Sequence, residues 1–172
     1  NQSQIDLSKG YTFAKGLRSM VRQDPDIAMV GEISDLETAE IAVQAALTGH
    51  LVFTTLHTND APSAITRLLE LGVPPYLIKA TVVGVVAQRL VRVLCPHCKT
   101  ETGISEEDWK ILSSPWKVRA PNVVSQSVGC LECRETGFKG RQGIYEVLPM
   151  SENLQKYIED KSDLPKLRQE AY

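Results

Sequence analysis

Hydrophobic positions along the chain follow two periods, and their alternation lays out the elements. Phe13, Leu17, Met20 and Val21 share one helical stripe, with Lys15, Arg18 and Arg22 off it, so a helix opens near Thr12. Asp24-Pro25-Asp26 is a turn signal. Ile27 to Val30 is a short apolar run of the kind that suits a strand covered on both faces. Ser34 and Glu37 have the spacing of a capping box, which predicts a helix behind them carrying Leu36, Ala39, Val43 and Leu47 and stopped by Gly49. His50 to Leu56 reads as a second strand. Strand, helix and strand with short connections make a parallel βαβ unit, so the fold class is α/β. Asn59 or Asp60 then caps a helix with Pro62 in its first turn and Gly72 at its end. The pattern predicts a longer helix from Pro75 to about Leu90, a strand at Val91 to Leu94 and another at Gly143 to Leu148. Ser151 caps a C-terminal helix, and a second begins near Ser162. Between Cys95 and Arg141 both periods fade, and cysteines, glycines and basic residues take over.

Length and charge bound the function. At 172 residues the chain is one ordinary domain, or one with a small satellite. Apolar residues at 42% and charged residues at 23% are those of a soluble globular protein. Nineteen basic residues against twenty-one acidic ones argue against a strongly basic nucleic-acid binder. The longest apolar stretch, Tyr76 to Leu94, is broken by Lys79, Gln88, Arg89 and Arg92 and fails as a membrane span. No basic-then-apolar leader is visible, so the expected placement is cytoplasmic. The chain opens on Asn1 and stops inside a helix-like pattern, which reads as a piece of a longer protein.

All four cysteines fall in two identical pairs, Cys95-x-x-Cys98 and Cys130-x-x-Cys133. Each pair can offer two thiolates through a tight turn, and two pairs complete a closed, tetrahedral, structural zinc site. Two disulfides or four core thiols are the alternatives; a cytoplasmic setting disfavours the first. His97, inside the first pair, is a substitute ligand that a four-thiolate site does not need. Lys99, Arg134, Lys139 and Arg141 nearby raise a nucleic-acid-binding zinc ribbon as a further reading, against which the neighbouring acidic residues weigh.

Glu32 lies just past the first predicted strand, and His57 just past the second. In a parallel sheet, ligands bind outside the carboxyl ends of the strands. A carboxylate there suits a magnesium-bound or attacking water, and a histidine preceded by Thr54 and Thr55 can donate to a terminal phosphate. A helix-capping glutamate and a surface histidine are the alternatives. No Gly-x-x-x-x-Gly-Lys-Ser/Thr occurs in the chain, so it is expected to bind nucleotide weakly or not at all.

Four segments resemble one family. Leu17 to Glu32 resembles the run that ends in the Walker B motif of the type II secretion and type IV pilus assembly ATPases. Ala46 to Asn59 resembles their histidine box, Ala87 to Cys98 the run into their zinc module, and Gly140 to Glu146 the return from it. The tetracysteine points to the GspE-, PilB- and MshE-like secretion and extension members. The resemblance implies a homo-hexameric motor that hydrolyses ATP with magnesium at the cytoplasmic side of the bacterial inner membrane. It would drive pilin or pseudopilin assembly through membrane platform proteins.

By that resemblance residues 1–94 are the C-terminal portion of a RecA-like core. Residues 95–142 are then a zinc subdomain held by Cys95, Cys98, Cys130 and Cys133, and 143–172 a returning strand and final helices. Glu32 becomes the Walker B carboxylate and His57 the phosphate-sensing histidine. Thr55, Arg18 and Arg22 lie on the nucleotide side, with a solvent-facing helix surface as the alternative for the arginines. The family's Walker A loop and the acidic box that carries its general base would lie upstream, leaving this chain inactive alone. Ser34 stands where the family usually has arginine, and it also improves the predicted helix cap. A non-enzymatic zinc-containing docking module is the competing reading.

Overall fold

The computed structural model describes residues 2–114, 118–159 and 161–171. The described residues divide into two compact units, one of residues 2–87 with 146–171, the other of Gln88–Tyr145.

The first unit is a layered α/β arrangement. Helix α1 (Phe13–Val21) begins at Thr12, whose hydroxyl accepts the Lys15 N–H. Strand β1 (Ile27–Val30) pairs in parallel with β2 (Leu51–Thr54), Ile27 opposite Leu51 and Val30 opposite Thr54. Helix α2 (Leu36–Leu47) joins them, so the predicted βαβ unit is present. Its cap differs from the expectation. Asp35, not Ser34, is the N-cap: its carboxylate accepts the Thr38 N–H at 2.8 Å and the Thr38 hydroxyl at 3.0 Å. Thr38 is fully buried, so the shift of one residue satisfies a hydroxyl that a Ser34 cap would strand.

Helix α3 (Ala61–Glu70) starts at Asp60, and α4 covers only Pro75–Thr81. The predicted helix to Leu90 is therefore wrong. Its second half belongs to β3 (Gly84–Leu94), which pairs with β6 (Phe138–Pro149). The reason lies in Val82-Val83-Gly84-Val85-Val86. Branched side chains lose rotamer freedom in a helix, glycine weakens one, and the run fits a pleated surface. Gly84 also comes so close to β6 that a Cβ there would sit 3.1 Å from the Leu148 carbonyl oxygen. Helices α6 (Glu152–Lys156) and α7 (Leu164–Ala171) finish the unit, α6 capped by Ser151 as expected.

The core of this unit gathers Leu17, Val30, Ile33, Ile65, Ile78, Leu148, Leu154, Ile158 and Leu167. Strand β1 was expected to be covered on both faces, and it is not. Ala28 and Val30 are buried, while Ile27 and Met29 are 60% and 68% exposed. Leu51 and Phe53 on β2 are likewise 43% and 53% exposed.

The described residues of the second unit form almost no apolar interior. Strands β4 (Thr100–Thr102) and β5 (Val124–Gln126) pair antiparallel, and α5 spans Glu106–Ser113. None of these three elements was predicted, because each is too short to show a period. The Arg92 guanidinium lies 3.8 Å from the Phe138 ring centroid. Among its described residues, only Cys95, Cys133 and Gly137 are buried.

Candidate functional site

Glu32 and His57 are brought together. Each follows its strand by two or three residues, and the parallel register places the strand ends side by side. His57 Nε2 lies 3.0 Å from Glu32 Oε2. The histidine side chain is 87% exposed and the glutamate 38%, so the pair faces open space. The two loops are tied below it. Ile33 N–H donates to the Thr55 carbonyl at 3.2 Å, and the Thr55 hydroxyl donates to the Gly31 carbonyl at 2.7 Å. Gly31 has Phe13 against it, with a ring carbon 3.1 Å from where a Cβ would stand, so the turn before Glu32 has little room for a side chain. A carboxylate and an imidazole on one short, pinned pair of loops can orient a water or a phosphate between a proton acceptor and a donor.

Arg18 and Arg22 do not join this pair. Arg18 donates to Glu37 at 3.3 Å. Both arginines line a cleft of about 350 Å³ with Val21, Glu40 and Ile41, which includes neither Glu32 nor His57. Sequence reading missed Glu146, whose carboxylate accepts the Ala61 N–H at 3.0 Å and so supports the start of α3, the helix that follows His57. Its signal was present in the segment Gly140 to Glu146, but nothing local says which helix end it serves.

The four cysteines form the second constellation. Their sulfurs all lie within 4.8 Å of one another, and all four are free of disulfides. The separations are 4.0 Å for Cys95–Cys130, and 3.8 Å for both Cys98–Cys133 and Cys130–Cys133. Thiolates bound to zinc at about 2.3 Å occupy tetrahedral corners about 3.8 Å apart. The donor set and its spacing therefore fit a tetrahedral, thiolate-preferring ion. His97 is exposed and lies outside the group.

The second pair sits on a tight turn of 3-10 geometry at Leu131–Cys133, with Arg134 at φ 52 after it. Burial pushes the Cys133 thiol up, but N–H donation from Cys130 and Gly137 and the thiols of Cys130 and Cys98 outweigh it. Together they bring Cys133 down to about 6. Burial and the neighbouring thiols push Cys98 up to about 11, against the Gly129 N–H. The N–H donors aimed at Cys133 favour its thiolate, which is the metal-binding form.

Known proteins resemble the chain over nearly its whole length. The family described as type II/IV secretion system protein matches residues 1–172. A type IV pilus assembly ATPase, TfpB of Acinetobacter baylyi, is 52% identical over 99% of the chain and 29% of its own length. The type II secretion system ATPase E of Vibrio cholerae is 50% identical over 91% of the chain and 31% of its length. The chain thus spans about a third of the length of the curated relatives it matches. Among solved structures, the pilus retraction motor PilT with bound ADP superposes with a TM-score of 0.56 at 29% identity, over 92% of this chain and 34% of that one. The DotB ATPase of Legionella pneumophila gives 0.57 at 23% identity, a likeness of fold, over 98% of this chain and 36% of its own. This chain belongs to the type II/IV secretion system protein family.

Proposed function

We propose that the chain is part of an ATP-hydrolysing motor for type II secretion or type IV pilus extension, supplying the Walker B and histidine-box portion of a RecA-like core. The observation that carries the reading is the Glu32–His57 pair at the ends of adjacent parallel strands, in a chain that the family matches throughout. Glu32 acts on a magnesium-bound or attacking water, and His57 contacts the terminal phosphate. Thr55 holds the loop between them in register. Arg18 and Arg22, on a separate cleft, serve nucleotide contact only through a further part of the protein. ATP and magnesium supply the hydrolysable bond and its charge neutralisation in the whole protein. The chain alone, without a phosphate-cradling Gly-Lys-Ser/Thr loop, hydrolyses no ATP.

The bare sheet face supports the same reading. Parallel strands are found almost only with both faces covered, and two strands alone are marginal. Ile27, Met29, Leu51 and Phe53 form an apolar face that is left largely exposed among the described residues. In the working protein this face is internal, under the remaining part of the motor domain. The motor is a hexamer on the cytoplasmic side of the inner membrane, reached through platform proteins. Among the described residues no helix is long and apolar enough to cross a membrane. Cys95, Cys98, Cys130 and Cys133 hold one structural zinc, which replaces the missing apolar core of residues 95–142.

The test is Glu32→Gln in the full-length protein, with ATPase rate, transport and zinc content measured together. Loss of hydrolysis and transport with zinc retained supports the motor. Unchanged transport refutes it and favours a zinc-containing docking module.

A further inference from the structure

Gly137 is the point at which the two cysteine pairs are tied to each other. Its carbonyl accepts the Cys95 N–H at 2.9 Å, and its own N–H donates to Cys133 Sγ at 3.2 Å. One residue therefore grips a member of each pair. It is also the only described residue besides Cys95 and Cys133 that is buried within Gln88–Tyr145. In a unit whose described residues form no apolar core, this contact stands where a core would be.

The position admits no side chain. Gly137 has φ +75, in the left-handed region that favours glycine. A Cβ there would stand 2.6 Å from Ser127 Cβ, and 3.3 Å from both Ser127 Cα and Val128 N. The first of these lies well inside van der Waals contact, and the atoms it meets are at or near backbone. Relief requires that the Gly137 peptide or the Ser127–Val128 segment move, and the peptide carries both cysteine contacts.

The chemistry gives that peptide a purpose. Four thiolates on a divalent ion leave net negative charge, and N–H donors aimed at sulfur spread it and fix the ligand's direction. Cys133 receives two such donors, from Cys130 at 3.2 Å within its own turn and from Gly137 outside it. The second is the one that also reaches the opposite pair.

We propose that Gly137 is the positioning residue of the tetracysteine site: its bare backbone sets Cys95 and Cys133 at tetrahedral spacing, and a side chain there weakens metal binding. The inference rests on the metal reading given above.

The experiment uses full-length protein stripped of metal, titrated with cobalt and then challenged with zinc and a chromophoric chelator. Gly137→Ala is compared with Gly140→Ala and with the double variant Ser127→Gly/Gly137→Ala. Gly140 has φ +84 in open space, so an alanine there carries the same backbone penalty without touching a ligand. We expect G137A to weaken cobalt and zinc binding by about 10- to 100-fold. At saturation, its cobalt ligand-field bands should shift away from the tetrahedral wild-type spectrum. The added S127G removes the closest clash and should restore part of both. G140A should bind and absorb as wild type does. A G137A protein that takes no metal while G140A takes it normally counts as the same result. Wild-type affinity and spectrum in G137A would overturn the proposal, as would equal losses in G137A and G140A. A wild-type protein without thiolate-to-cobalt charge-transfer bands would instead sink the metal reading itself.

Discussion

Glu32 and His57 meet at 3.0 Å across the ends of two strands whose pairing, Val30 opposite Thr54, sets their separation before either loop begins. An exposed pair of this kind adds at most about 1 kcal/mol to stability. The pair therefore contributes little to folding, and the proposed function gives it a chemical role. Glu32→Gln and His57→Gln in the full-length protein are each expected to leave the melting temperature nearly unchanged. ATP hydrolysis should fall by about 100-fold or more, the usual scale for a positioned acid or base. Parallel losses of melting temperature and activity would reassign the pair to a structural role.

Thr55 acts one step behind that pair. Its hydroxyl donates to the Gly31 carbonyl at 2.7 Å and so joins the two loops that carry Glu32 and His57. Thr55→Val keeps the shape and removes the donor, at a net cost of about 0.5–1.5 kcal/mol. Thr55→Ser should retain the bond and most of the activity. ATPase rates for the two variants check this: a loss in Thr55→Ser with none in Thr55→Val would mean that the methyl group, not the hydroxyl, matters.

Much of this could be read from the sequence because it is local. Asp24-Pro25 ahead of an apolar run, and Gly49 between a helical stripe and a β-branched run, are short-range signals, and the βαβ unit follows from them. The tetracysteine is equally local, since each pair lies on one turn. What failed was long-range. Val82 to Ala87 is an apolar run that continues the helical pattern of Pro75 onward, and only pairing with β6 makes Gly84 and the residues after it a strand. Strand β1 looked covered on both faces because its composition is that of a buried strand, while this chain supplies one covering layer. Arg18 and Arg22 carry no sequence mark saying that they face the α2 side, and Gly137 is one glycine among eleven until its peptide is seen between two cysteines.

Metal removal should act on one unit. Residues Gln88–Tyr145 have no buried apolar side chain besides the cysteines among the described residues, so on the proposed zinc reading the ion's binding energy, about 10–16 kcal/mol for structural zinc, would supply their folding energy. A strong chelator is expected to make bonds within Gln88–Tyr145 sensitive to protease while residues 13–81 stay protected. Cys130→Ser should give the same pattern without chelator. Limited proteolysis read by mass spectrometry decides it, and uniform protection after zinc loss would contradict the assignment.

Asp60 gives the fold an acid-sensitive joint. It caps α3 through the Ser63 N–H at 2.8 Å, and its other oxygen accepts from Arg168 Nε on α7 at 3.1 Å. Partial burial pushes its carboxyl up, but the Ser63 hydrogen bonds and the Arg168 guanidinium outweigh it and hold it below the usual 3.8. A carboxyl depressed by folding adds stability that is fully present above its unfolded value, and this is lost as pH falls through the lower folded value. Asp60→Asn keeps a good cap and removes the charge, so at neutral pH it should cost about 1 kcal/mol, the upper range for a half-exposed pair. Asp60→Ala also loses the cap, adding about 1 kcal/mol more. The gap in melting temperature between wild type and D60N should hold steady from neutral pH down to about pH 5 and close below about pH 4. Thermal unfolding across that range tests the sign: a gap that widens on acidification would mean that Asp60 is held neutral, not charged, in the folded protein.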